Sequence, residues 1–213
     1  MKTRIITAAI CIPVFLFVII MGGWWLGIPV AILAALSCLE YVRLVNKIQT
    51  KEKLAWLLLG CAYIFLGFLS LLGLRLSHES FLLPFWLLMC IWITDSAAYF
   101  VGRVYGRHKM APEISPNKSW EGAIAGGLAG MLLPGTFFSI AFNVNFFLAL
   151  LISLLVSSIG QIGDLVESKV KRLANVKDSG TLFPGHGGVL DRFDSIMLSA
   201  PFAYILSLLL IGK

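Results

Sequence analysis

From Ile5 to Leu39 the chain runs 35 residues without one charged side chain. As a single α-helix this stretch would be about 52 Å long, and a hydrocarbon core is only about 30 Å thick. It is too long for one crossing and short for two, so a break and a turn back are expected within it. Gly22-Gly23-Trp24-Trp25 supplies the break, two glycines for the turn and two tryptophans suited to an interface. Similar apolar runs follow, and seven spans are expected at about 5–22, 24–42, 54–74, 81–102, 120–141, 146–168 and 190–211. The period-2 alternation of a membrane barrel is absent. The fold class is therefore all-α, a polytopic helical membrane protein of about seven transmembrane helices with polar loops that can carry a site. Composition agrees: 59% of residues are hydrophobic and 13% charged, where soluble domains carry about 25% charged.

The N-terminus, with Lys2 and Arg4 before an apolar core, has the outline of a signal peptide. No small-x-small cleavage site follows, and a second apolar run comes at once, so a retained first span is expected. No long linker, repeat or low-complexity tract divides the chain. Residues 1–80 hold three N-terminal spans, and residues 81–213 hold four spans and nearly all the chemistry. The cysteines Cys11, Cys38, Cys61 and Cys90 fall inside apolar runs with no CxxC pair, which reads as buried free thiols.

The net charge of +6 does not require nucleic acid as a partner. With the N-terminus inside, fifteen of the seventeen basic residues fall in inner segments, leaving only Arg75 and Lys213 outside. That asymmetry is the positive-inside pattern, and it makes the N-terminus and the polar loops cytoplasmic. Loops 103–119 and 169–192 then share one side, so a site can draw on both.

Acidic residues within membrane spans are costly and are candidates for function. Asp95 lies in the fourth span. In the sixth, Ser157, Gln161, Asp164, Ser168 and Lys171 recur every three or four residues as one polar stripe, with Glu167 beside it. An i,i+4 ion pair at the end of a helix accounts for Glu167 and Lys171. It does not account for Asp164, which is deeper and is flanked by Gly160 and Gly163.

The stretch Phe183-Pro-Gly-His-Gly-Gly-Val-Leu-Asp-Arg-Phe-Asp194 opens the last span. Its glycines offer backbone N–H groups of the kind that bind phosphate. Asp191 and Asp194 lie one turn apart and would repel a bare phosphate. A divalent cation removes the conflict: carboxylates of this helix and Asp164 would hold Mg²⁺ through oxygen while Gly187 and Gly188 face phosphate. Helix capping explains one such aspartate but not a pair with Arg192 between them. With no second His or Cys near His186 a zinc site is not expected; hydrogen bonding to phosphate and a structural loop role both remain open for it. Arg103, Arg107, Lys109 and Lys118 suit a polyphosphate, although a positive-inside loop would look the same. Pro112 and Pro116 argue that this loop is shaped. Gly122, Gly126 and Gly130 form a small-residue stripe for helix contact, within or between subunits.

Three segments resemble the phosphatidate cytidylyltransferase (CDP-diacylglycerol synthase) family. The strongest is the run Ser168-Lys-Val-Lys-Arg172, Lys177-Asp-Ser-Gly180 and Phe183 to Asp194. Asp95-Ser-Ala-Ala-Tyr99, and Gly-Arg-His-Lys109 with Ser-Pro-Asn-Lys-Ser-Trp-Glu-Gly122, are also similar. The resemblance spans about residues 90–200, and the first 80 residues match only as generic spans. It implies transfer of a cytidylyl group from CTP to phosphatidate, with Mg²⁺ and room for a second cation. It also implies Asp164 and Asp191 as the metal-holding pair, with Lys118, Lys171 and Arg172 in the catalytic machinery. Ser119, Lys177, Asp178, His186, Gly187, Gly188, Arg192, Asp194, Arg107, Lys109 and Asp95 fall in substrate-facing segments. Ser119 stands where that family usually has threonine, which keeps the hydroxyl. The partners implied are CTP, phosphatidate and the bilayer, with a homodimer left open. If the protein is bacterial, the inner membrane is implied.

Two other readings compete. A CTP-dependent lipid kinase of the polyprenol type would need a base for the lipid hydroxyl; no Ser/His/Asp or Cys/His arrangement stands out, and the intact C-terminal run favours cytidylyl transfer. A small ion-coupled transporter using Asp95 and Asp164 would place polar residues through the full depth of several spans. Here they crowd toward one end.

Overall fold

The computed structural model describes residues 2–77, 79–182 and 187–211, with side chains from residue 9 onward. Among the described residues there are seven helices: α1 (Lys2–Met21), α2 (Gly23–Lys47), α3 (Lys53–Leu76), α4 (Leu82–Tyr105), α5 (Trp120–Phe142), α6 (Phe146–Leu173) and α7 (Leu190–Leu210). Among the described residues, six of these are long and apolar enough to cross a membrane, and the apolar stretch Ala9–Met21 of α1 is shorter. The seven expected spans are thus all helices. Several continue past their apolar stretch: α2 ends at Lys47, α4 has Arg103 in its last turn, and α6 runs on through Lys171 and Arg172. Basic side chains at helix C-termini complement the helix dipole, which favours these extra polar turns.

The expected break in the first run is present. Gly22 and Gly23 have φ of 64° and 49°, values that glycine adopts without steric penalty. Trp24 and Trp25 are exposed beside them. Arg75, the basic residue assigned to the opposite side, caps the end of α1: Nε donates to the Ile19 carbonyl at 2.9 Å and Nη2 to Ile20 at 3.2 Å. A Cβ on Gly22 would stand 2.6 Å from that guanidinium and would push it aside, so glycine here serves φ and leaves the arginine cap in place.

The core draws buried apolar residues from all seven helices, most of them from α2, α3, α4 and α7. Trp86 and Phe138 stack with centroids 4.4 Å apart, and Trp86 Nε1 donates to Ser153 Oγ at 2.9 Å. Burying that polar pair is tolerable because each satisfies the other. The stripe Gly122, Gly126, Gly130 packs α5 on α4: a Cβ at Gly122 or Gly126 would meet the carbonyls of Ala98 or Thr94 at 2.7 Å. The stripe is therefore used inside this chain.

Two findings add to the sequence reading. The shaped loop before α5 is a two-stranded antiparallel hairpin, β1 (Lys109–Ala111) with β2 (Ser115–Ser119), turned between the strands at Pro112–Ile114. The cysteines are free, but Cys11 is exposed on the outer face of α1 and only Cys90 is fully buried. A thiol on a lipid-facing surface behaves as a small apolar group, so Cys11 needs no protein cover.

Candidate active site

The polar chemistry gathers at the end of the bundle where α4 and α6 finish and α5 and α7 begin. The hairpin brings Lys118 there. Its Nζ lies 2.7 Å from Asp164 Oδ2, with both side chains a little over a quarter exposed. Ser168 donates to the other oxygen, Oδ1, at 3.2 Å, which joins two neighbours on the polar stripe of α6. Higher on the stripe, Gln161 Nε2 donates to the Ala123 carbonyl at 3.2 Å and ties α6 to α5. Asp95, Asp164 and Asp194 are close enough for their charges to act on one another, with Lys118 and Arg192 beside Asp95. Repulsion among three carboxylates is thus relieved by Lys118 of the hairpin and Arg192 of α7.

Asp191 sits in a second group. Its Oδ1 accepts from Lys171 Nζ at 2.6 Å. Its Oδ2 accepts from the Ser179 N–H at 2.8 Å, the Ser179 hydroxyl at 2.9 Å and the Gly188 N–H at 2.8 Å. Lys171 also pairs with Glu167, one turn back on α6. The two oxygens of Glu167 are buried, with no other partner among the described residues. One ammonium therefore compensates two buried carboxylates, an arrangement whose stability depends on every member being present.

A carboxylate from a helix read as a generic span completes the site. Glu40 of α2 is 6% exposed. Its oxygens accept from the N–H of Val189 at 3.0 Å, the N–H of Leu190 at 2.9 Å and the Ser179 hydroxyl at 3.0 Å. Among sequence signals, only a single acid in an otherwise uncharged stretch of span marked it out.

The structure distributes the expected site residues as follows. Lys118 meets Asp164, and Lys171 meets Asp191. Arg172 Nε donates to the Ile114 carbonyl at 3.0 Å and Nη1 to Val176 at 3.1 Å, which pins the hairpin to the end of α6. Ser119 is buried and is the N-cap of α5, accepting from the Gly122 N–H at 3.2 Å. Gly188 directs its N–H at Asp191, and the next two N–H groups go to Glu40, so the glycine turn cradles carboxylates in this arrangement. Gly187 has φ of +83°, and a Cβ there would lie 2.5 Å from Asp191 Oδ2. Arg107, Lys109, Lys177, Asp178 and Arg192 are exposed; none of them forms an ion pair among the described residues. His186 lies outside the described residues.

For a divalent cation, the donor chemistry is right: carboxylate oxygens suit Mg²⁺. Asp164 is partly open, and the place next to its Oδ2 already takes a positive charge from Lys118. Asp191 has four protein donors, which matches the capacity of a carboxylate of about four. It would join a cation by releasing Lys171. Among the described residues no group of three or more His, Cys, Asp or Glu is arranged to hold a metal.

Beside Glu167 an apolar cleft of about 330 Å³ opens between α3 and α6. Tyr41, Trp56, Leu59, Tyr63, Ile64 and Val166 line it. The Tyr63 hydroxyl is buried there without a hydrogen-bond partner among the described residues, while Leu59 and Val166 on the rim are exposed.

The chain was compared with known proteins. The profile of the cytidylyltransferase family matches residues 2–71 and 46–210. A phosphatidate cytidylyltransferase of Staphylococcus haemolyticus is 40% identical over 188 residues, 87% of this chain and 72% of that protein. One from Bacillus subtilis is 43% identical over 180 residues, 83% of this chain and 66% of that protein. One from Staphylococcus aureus is 37% identical over 191 residues, 87% of this chain and 72% of that protein.

Proposed function

The chain belongs to the cytidylyltransferase family, and on that premise we propose that it transfers a cytidylyl group from CTP to phosphatidate, giving CDP-diacylglycerol and pyrophosphate. The observation that carries this reading is the pairing of Lys118 with Asp164 beside the clamp on Asp191. Two independent segments of the family signature, the hairpin end and the Lys177–Asp194 run, converge on one end of one helix, α6.

A phosphate oxygen of the lipid headgroup attacks the α-phosphorus of CTP. The bond from that phosphorus to the bridging oxygen breaks, and pyrophosphate leaves with the electron pair. The nucleophile is a phosphate monoester whose second pKa is about 6, so it is ionised without a strong base. That matches a site with acids and cations and, among the described residues, no nucleophile–base pair. Two polyanions must approach; at an effective dielectric of about 20, two unit charges 4 Å apart repel by about 4 kcal/mol. Lys118 offsets charge at the reacting phosphate, and exposed Arg107, Lys109, Lys177 and Arg192 offset it along the triphosphate. Asp164 and Asp191 are the residues that would hold Mg²⁺, which when bound supplies Lewis-acid polarisation of the phosphate and charge neutralisation of the leaving group.

The remaining features fit the same reading. The basic loops face the cytoplasm, where CTP is available. The headgroup reaches the site from the bilayer, and the cleft at Tyr63 and Leu59 receives part of an acyl chain.

The test uses detergent-solubilised protein with phosphatidate, Mg²⁺ and CTP labelled at either the α- or the γ-phosphorus. Entry of α-label into the lipid with release of γ-label in pyrophosphate is the expected result. Entry of γ-label into phosphatidate or a polyprenol would make the protein a kinase. No transfer from either position would leave the family match as shared ancestry.

A further inference from the structure

We propose that Glu40 is a positioning residue for the reaction: it fixes Ser179 and the turn from Gly188 to Leu190 and, through them, the aim of Asp191. The inference rests on the cytidylyl-transfer reading for its kinetic part only.

The first N–H groups of a helix have no partner within it, and the N-cap residue of α7, Val189, offers no side-chain cap. Glu40 supplies that cap from another helix, with Oε1 on Val189 and Oε2 on Leu190. A carboxylate at a helix N-terminus also gains from the helix dipole, and its hydrogen bonds are charge-assisted.

The third bond links this cap to Asp191. The Ser179 hydroxyl lies 3.0 Å from Glu40 Oε2 and 2.9 Å from Asp191 Oδ2. Its single hydrogen serves one of them at a time, so it is a shared hinge pin between the two acids. The groups that orient Asp191 Oδ2 are the N–H and hydroxyl of Ser179 and the N–H of Gly188. Ser179 is held by Glu40 directly, and Gly188 is the residue just before the two N–H groups that Glu40 holds.

The glycines flanking the contact have the same logic. A Cβ at Gly188 would collide with both Glu40 oxygens and with Ser179 Oγ, and one at Gly180 would collide with Glu40 Oε1. Gly180 and Gly188, both in the signature run, thus leave room for an acid 140 or more residues earlier in the chain. The second helix is part of the active-site frame.

The experiment compares Glu40→Gln, Glu40→Ala and Gly188→Ala with the unaltered protein in two measurements. Steady-state kinetics with CTP and phosphatidate should show kcat falling about 100-fold in Glu40→Ala, the scale of an ångström-level misplacement, with KM for CTP changed by less than about threefold. Glu40→Gln keeps one acceptor oxygen and should fall between Ala and the parent. Gly188→Ala, with Glu40 intact but displaced, should match Glu40→Ala. Hydrogen–deuterium exchange should speed up in residues 179–190 and leave α3 to α5 unchanged. Unchanged kcat, or exchange rising equally in every helix, would overturn the proposal, the latter by making Glu40 a general brace of the fold. If the unaltered protein transfers no cytidylyl group, the functional reading fails. The exchange measurement still decides whether Glu40 holds this segment.

Discussion

Lys118 Nζ lies 2.7 Å from Asp164 Oδ2, so the second strand of a surface hairpin reaches an acid set within a membrane-spanning helix. Neither residue belongs to the same element, and neither is fully buried. A pair of this kind is weakly stabilising, since exposed ion pairs are worth about 0–1 kcal/mol. It is better placed to meet charge that arrives and leaves.

Replacing Lys118 by Met should therefore lower kcat/KM for CTP by about 100-fold or more, the scale for losing one group that offsets transition-state charge. The melting temperature should barely move. Asp164→Asn should abolish turnover in protein that still folds, and a chelator should stop the unaltered enzyme until Mg²⁺ is returned. Full activity of Asp164→Asn would remove this residue from the metal site. The checks are initial rates and a thermal melt on the same samples.

Lys171 should behave in the opposite way. It is the one ammonium between Glu167 and Asp191, in side chains 4–11% exposed. Lys171→Met leaves two buried carboxylates without a cation and should cost about 3–5 kcal/mol of stability. Thermal unfolding in detergent would show a large fall. A melt like the parent's would mean that the carboxylates are solvated when the lysine is gone.

Ser119 separates a cap from a substrate contact. Its hydroxyl accepts from the Gly122 N–H, and Ser119→Ala should cost about 1 kcal/mol, as for other N-caps. Ser119→Thr should restore both stability and rate. A loss of CTP affinity in Ser119→Ala without loss of stability would return the hydroxyl to the substrate.

The cleft between α3 and α6 makes a separate statement about the lipid. Leu59→Trp, at its rim, should reduce turnover of long-chain phosphatidate and leave a short-chain, water-soluble analogue unaffected. The chain-length profile of kcat/KM is the readout. An equal effect on both would mean that the cleft is not where the chain lies.

Much of this protein is legible without a structure because its governing signals are local. The length of an apolar run sets the number of crossings: a buried backbone must satisfy itself within one helix, and the hydrocarbon core has a fixed thickness. Gly22-Gly23 could be assigned to a turn from residue type alone. Asp95 and Asp164 stand out as polar groups where polarity is expensive, and Asp191 as one of two acids at the mouth of an apolar helix. The family run from Ser168 to Asp194 names the chemistry.

What the tertiary structure decided is which of these groups meet. Asp191 carries no local sign that Lys171 and Ser179 fill its oxygens, and the glycines before it look like a phosphate cradle until Glu40 is seen beside them. Glu40 itself, in a span with no motif, finds its partners 139 to 150 residues away. A hydrogen bond depends on distance and direction in space, and spacing along the chain predicts those only within one helix or one turn. Between α2 and α7, packing alone brings donor and acceptor to 3 Å.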